Sequence, residues 1–140
     1  ALARRSACAD LDAWLAAPDA VLLGDSLGEM ALYYSLADVA LLGGSFAPLG
    51  GQNLIEAAAC GCSVVVGPHT FNFAQVADSA VAAGAAVRAP DMPAALARAV
   101  ALLAQDPMVR RRRAQDFAAA SGGAVRRTVD ALVAASAGLT

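Results

Sequence analysis

Three short apolar runs in this chain each end in glycine and open a polar loop. Ala20-Val21-Leu22-Leu23 stops at Gly24, Asp38-Val39-Ala40-Leu41-Leu42 at Gly43-Gly44-Ser45, and Ser63-Val64-Val65-Val66 at Gly67. A fourth and shorter run is Ala85-Ala86-Val87-Arg88. Brief apolar runs bounded by turn residues, rich in β-branched side chains, predict buried strands. Residues 1–6 offer a further candidate strand. They begin with neither cap nor turn, so the expectation is a domain cut at its N-terminal edge.

Between the runs the apolar spacing becomes helical. Met30, Tyr33, Tyr34 and Ala37 define one helix, with Ser26 and Glu29 ahead of it in a capping-box pattern. A helix over 51–60 ends at Gly61, a natural residue just past a C-cap. Further helices are expected over 73–83, over 92–104 behind Asp91, and from Pro107 behind Asp106 to about Ser121. Residues 10–17, with Trp14 and Leu15, suit a short helix or turn, and 124–137 a last helix. Strand–helix alternation predicts βαβ units: a Rossmann-like α/β domain over residues 1–140, its parallel sheet covered by helices on both faces. Ligands of such sheets sit at the carboxyl ends of the strands. The loops over 24–29, 43–53 and 67–73 all fall there.

Composition removes several classes. The 140 residues are 59% hydrophobic, but alanine, a helix former, makes up more than a quarter of them. The formal charge of −2 gives no footprint for nucleic acid. No apolar stretch reaches the roughly 20 residues of a membrane span, and no signal segment is visible. Cys8, Cys60 and Cys62 are odd in number and lack CxxC spacing, so reduced thiols of a cytosolic protein are expected. The run Arg110-Arg111-Arg112-Arg113 reads as a solvated helical surface, with contact to anionic lipid headgroups as the alternative.

Candidate chemistry then concentrates in a few positions. Glutamate occurs only at Glu29 and Glu56, both in first helical turns behind glycine-bearing loops. Each could be a cap, Glu29 with Ser26 and Glu56 with Asn53. Alternatively, the Glu56 carboxylate offers two acceptor oxygens spaced for the vicinal diol of a ribose. Asn53 and the Gly51 amide would then serve a phosphate. Gly43-Gly44-Ser45 and Gly50-Gly51 suggest close backbone approach to an anion near a helix N-terminus. Neither GxGxxG nor a P-loop is present. His69, the only histidine, and Asn72 occupy the last loop as structural or ligand-facing residues. Nothing groups with His69 as a metal site or a nucleophilic triad, and no cofactor is expected.

GDSLGE (24–29), ADVALLGGS (37–45), GGQNLIEAAA (50–59) and GPHTFNF (67–73) together resemble the C-terminal half of 3-deoxy-D-manno-octulosonic acid (Kdo) transferases, from about Pro18 to Asp130. The resemblance implies the C-terminal half of a GT-B fold and an inverting glycosyltransferase. It implies CMP-Kdo as donor, the lipid A precursor as acceptor, and no metal. The setting implied is lipopolysaccharide biosynthesis at the cytoplasmic face of the bacterial inner membrane. It further implies that Gly43, Gly44 and Ser45 face phosphate or sugar. Asn53 and Glu56 would hold phosphate and ribose. Ser26, Gly28, Glu29, His69 and Asn72 would border the cleft. Gln52 stands where many relatives carry histidine; it keeps a donor but does not titrate near neutrality. The catalytic base would lie in an N-terminal domain, so no residue of this chain is expected to be catalytic and the chain alone is expected to be inactive. A GT-B transferase or epimerase using a UDP-sugar, and a non-enzymatic Rossmann-like module, are the competing readings.

Overall fold

The computed structural model describes residues 2–7 and 21–123. The helices expected over 10–17 and 124–137, and Cys8, lie outside the described residues. The chain divides into two compact units, residues 1–30 and 31–140.

In the first unit, β1 (Leu2–Arg4) and β2 (Val21–Leu23) pair in parallel, Leu2 opposite Val21 and Arg4 opposite Leu23. A 3-10 turn (Arg5–Ala7) follows β1. No described residue of this unit is buried. Polar contacts hold it instead. Ser6 donates its amide (2.9 Å) and hydroxyl (2.8 Å) to the two Asp25 carboxylate oxygens.

The second unit is a three-stranded parallel sheet in the order β3 (Val39–Leu42), β4 (Ser63–Val66), β5 (Ala86–Arg88). Its helices are α1 (Met30–Leu36), α2 (Ile55–Ala59), α3 (Ala74–Ala82), α4 (Met92–Leu103) and α5 (Pro107–Ser121). Central β4 is buried at all four positions because both faces of the sheet are covered. The strand period of two sends Val64 and Val66 to one core and Val65 to the other. Tyr34, Ala57, Ala58, Ala77, Ala80, Ala114, Phe117 and Ala118 pack on the Val64/Val66 side. Ala95, Ala99 and Leu102 of α4 pack on the Val65 side. Each fully buried valine contributes about 1.5–3 kcal/mol. The abundant alanine is therefore interface material that lets helices approach the sheet and one another closely.

The helix ends follow the sequence signals. Asp91 accepts from the Ala94 amide at 2.8 Å and Asp106 from the Met108 amide at 2.8 Å. Gly61 stands at φ +80° after α2. Its amide bonds Ala58 O (2.9 Å) and the Cys62 amide bonds Ala57 O (3.0 Å), a Schellman closure. A Cβ on Gly61 would come 2.5 Å from the Arg111 stem of α5.

Two expectations change. The helix foreseen over 51–60 begins only at Ile55, because the left-handed Gly50 and Gly51 cannot continue into it. The arginine run is not one solvated surface. Arg110 is 5% exposed and turns inward, donating to the Asp38 carbonyl (2.8 Å) and carboxylate (3.3 Å). Its Nε is buried without a partner among the described residues. Arg112 pairs with Asp116 one turn on at 3.7 Å, and the Arg113 stem lies over Gly84.

Candidate functional site

Parallel register lines up the strand ends of the second unit. Leu42 is opposite Val66 and Val66 opposite Arg88, so the loops leaving β3 and β4 emerge side by side. The β3 loop starts as a 3-10 turn (Gly43–Ser45). Ser45 is 0% exposed. Its hydroxyl donates to Leu42 O (2.5 Å) and accepts from the Gly67 amide (2.7 Å), while its carbonyl accepts from the His69 amide (2.9 Å). A Cβ on Gly67 would overlap the Ser45 carbonyl. Ser45 thus ties the two loops together, and its hydroxyl is turned inward rather than toward a ligand, as the resemblance had implied.

The second glycine pair makes another tie. Gly50 (φ +89°) and Gly51 (φ +81°) are both left-handed. A Cβ on Gly50 would overlap the Asn72 side-chain amide, and one on Gly51 would come 3.3 Å from His69 O. The Asn72 amide donates to Gly50 O at 3.1 Å, and its side chain reaches Leu49 O at 3.5 Å. The close approach foreseen for this pair is therefore to the 67–73 loop of the protein itself.

Gly43 differs. It is exposed, its φ is not positive, and a Cβ there would meet nothing within 4 Å. A Cβ on Gly44 would first meet the Gln52 side chain, at an ordinary 3.5 Å. Neither glycine is demanded by folding, which leaves an open backbone face at the carboxyl end of β3.

Beyond this face, Asn53 Oδ1 accepts from the Ile55 amide at 3.1 Å. That leaves the Asn53 side-chain N–H₂ as outward donors. Glu56, in the first turn of α2, is exposed and makes no hydrogen bond or ion pair among the described residues. The Asn53–Glu56 capping pair considered for it does not form. Its charge is felt by Tyr34, whose hydroxyl pKa is raised by burial and then by Glu56. His69 is half-buried.

In the first unit, residues 24–29 follow β2. Ser26 Oγ donates to the Glu29 carboxylate, which also pairs with Arg5 Nη2 at 3.0 Å. Gly28 takes φ +81° with open space around it.

Three contributors were not singled out by sequence patterns. Arg5 orients Glu29. Thr70 is buried in the last loop. Arg88, at the end of β5, holds that loop through Gly67 O (3.1 Å) and Thr70 Oγ1 (3.0 Å). Only Arg88 carried a signal, a charge closing an apolar strand. Burial pushes the Cys62 thiol up to about 11, so it remains a thiol. Among the described residues no three His, Cys, Asp or Glu side chains gather as a metal site, and no helix is long and apolar enough to cross a membrane.

No family model matches the chain. Over 115 residues, 80% of its length, it is 61% identical to the 3-deoxy-D-manno-octulosonic acid transferase of Bordetella pertussis and 35% identical to that of Haemophilus influenzae. The chain spans 27% of each relative's length. Among solved structures it resembles the C-terminal CMP-Kdo binding domain of WaaA from Acinetobacter baumannii. The TM-score is 0.70 at 30% identity, over 83% of this chain and 60% of that one.

Proposed function

By sequence and by fold the chain belongs with the C-terminal domains of Kdo transferases, and we propose that it is the donor-binding part of such an enzyme. It would hold CMP-Kdo for inverting transfer to the lipid A precursor in lipopolysaccharide biosynthesis, within an enzyme working at the cytoplasmic face of the inner membrane. One observation carries the reading. At the carboxyl end of β3 the Gly43-Gly44 backbone is not demanded by folding, and the exposed Glu56 carboxylate that follows in α2 makes no hydrogen bond or ion pair among the described residues.

At this carboxyl rim the work divides by chemistry. The Gly43-Gly44 backbone admits the phosphate, and the Asn53 side-chain N–H₂ donates to it. The Glu56 carboxylate accepts both ribose hydroxyls. Gln52, over Gly44, adds a donor. His69 and Asn72 belong to the loop that braces this rim. As the glycosidic bond breaks, negative charge grows on the CMP phosphate, and fixed donors stabilise it without a proton being supplied. The acceptor hydroxyl does need a base. None of the residues named here is assigned that role, so the chain alone binds donor without catalysing transfer.

The test is calorimetric titration of the 140-residue chain with CMP and, separately, UDP, together with Glu56→Ala. CMP should bind more tightly than UDP, and Glu56→Ala should weaken CMP by about tenfold, near 1.4 kcal/mol. Tighter UDP binding would favour a UDP-sugar enzyme. No binding of either nucleotide would favour a non-enzymatic module.

A further inference from the structure

Arg88 ends β5 and is half-buried at the carboxyl edge of the sheet, where its side chain is 34% exposed. Its guanidinium divides three ways. Nη1 donates to Gly67 O (3.1 Å) and to Thr70 Oγ1 (3.0 Å), and Nη2 to Asp78 Oδ1 of α3 (2.7 Å). One planar group thereby joins the sheet, the 67–73 loop and the helix that follows the loop. A lysine, with a single ammonium, cannot reproduce that fork.

The loop that Arg88 grips is the one against which the rim is built. From the opposite side Ser45 takes the Gly67 and His69 amides. From the loop the Asn72 amide reaches Gly50 O, and the Asn72 side chain fills the space that a Cβ on Gly50 would occupy. Next along the chain come Gly51, Gln52 and Asn53. We propose that Arg88 is a positioning residue for the nucleotide pocket. It fixes the 67–73 loop and, through the Asn72–Gly50 contact, the turn that presents Gln52, Asn53 and Glu56. It touches no ligand itself. The inference rests on the donor-binding reading given above.

The experiment compares Arg88→Met, Arg88→Lys and, as a control, Leu102→Ala, which opens the core on the far side of the sheet. Amide hydrogen exchange of the ligand-free chain is read at His69, Asn72 and Val65, and CMP affinity by calorimetry. Arg88→Met should speed exchange at His69 and Asn72 about tenfold relative to Val65, and raise the CMP Kd about tenfold. Arg88→Lys should fall between Arg88→Met and the parent chain in both readouts. Leu102→Ala should speed exchange everywhere yet leave the CMP Kd unchanged, which separates positioning from a general loss of stability. Unchanged exchange at His69 and Asn72 in Arg88→Met would overturn the proposal, as would altered exchange with an unaltered CMP Kd. If Arg88→Met does not fold, Arg88→Lys carries both readouts. If the parent chain binds no CMP, the donor reading fails, while the exchange arm still decides whether Arg88 holds the loop.

Discussion

Glycines of the rim separate by what surrounds each Cα, and that difference can be measured. At Gly50 an alanine would have to hold φ +89° and displace Asn72. A left-handed backbone plus overpacking gives Gly50→Ala a cost of roughly 3 kcal/mol in chemical unfolding. Gly43→Ala meets neither obstacle. Its stability should stay within about 0.5 kcal/mol of the parent while its CMP Kd rises at least about tenfold. A stable Gly43→Ala that binds CMP normally would remove the phosphate from this face. Ser45 gives the complementary case. Without its hydroxyl the buried Gly67 amide has no acceptor, so Ser45→Ala should cost about 1–3 kcal/mol although Ser45 meets no solvent. These positions look alike as letters. GGS and GG both read as close approach to something, and only the packed loops show that Gly50 and Gly51 approach protein while Gly43 faces open space.

At the level of elements, strands and helix caps were legible because local chemistry decides them. The Val64-Val65-Val66 run, the Asp91 and Asp106 caps and the Gly61 stop all stand where the residues alone predicted. The start of α2 was not, since the constraint on 50–54 comes from a loop some twenty residues downstream. The arginine run failed for the same reason. Four consecutive arginines project around a whole helical turn, and the sequence does not say which of them faces the sheet. Arg110 does, and it reaches Asp38, 72 positions away. Thermal or urea unfolding should therefore rank the arginines. Arg110→Ala should cost about 2 kcal/mol, through the lost stem and a carbonyl left without its donor. Arg112→Ala, at an exposed pair one helical turn apart, should cost under about 0.5 kcal/mol. Equal losses at both positions would contradict the inward placement of Arg110.

At the scale of the whole chain, the two units rest on different physics, which makes their acid response differ. Both apolar cores belong to residues 31–140. The described part of residues 1–30 has no buried side chain, and a two-stranded pairing of three-residue strands is marginal by itself. Polar contacts fasten it, the Arg5–Glu29 pair and the Ser6 bonds to Asp25 among them. The amide and hydroxyl of Ser6 hydrogen-bond the charged Asp25 carboxylate and hold its pKa below the ordinary 3.8. A group whose pKa is lower folded than unfolded contributes stability above its unfolded pKa and loses it as pH falls through the folded value. The contact is thus fully present at neutral pH. It weakens only below about pH 4, as the unfolded-state carboxyl begins to bind protons. A carbon-detected NMR titration should find the Asp25 carboxyl titrating below a reference aspartate, with the Ser6 amide shifting in step. In Ser6→Ala, which loses the hydroxyl but keeps the amide, the Asp25 pKa should move only part of the way back. Over the same interval the Val64, Val65 and Val66 amides should keep their exchange protection, because backbone pairing on both sides and buried valine side chains hold that strand. Loss of protection at those amides over the same interval would contradict a central strand held by pairing and apolar packing.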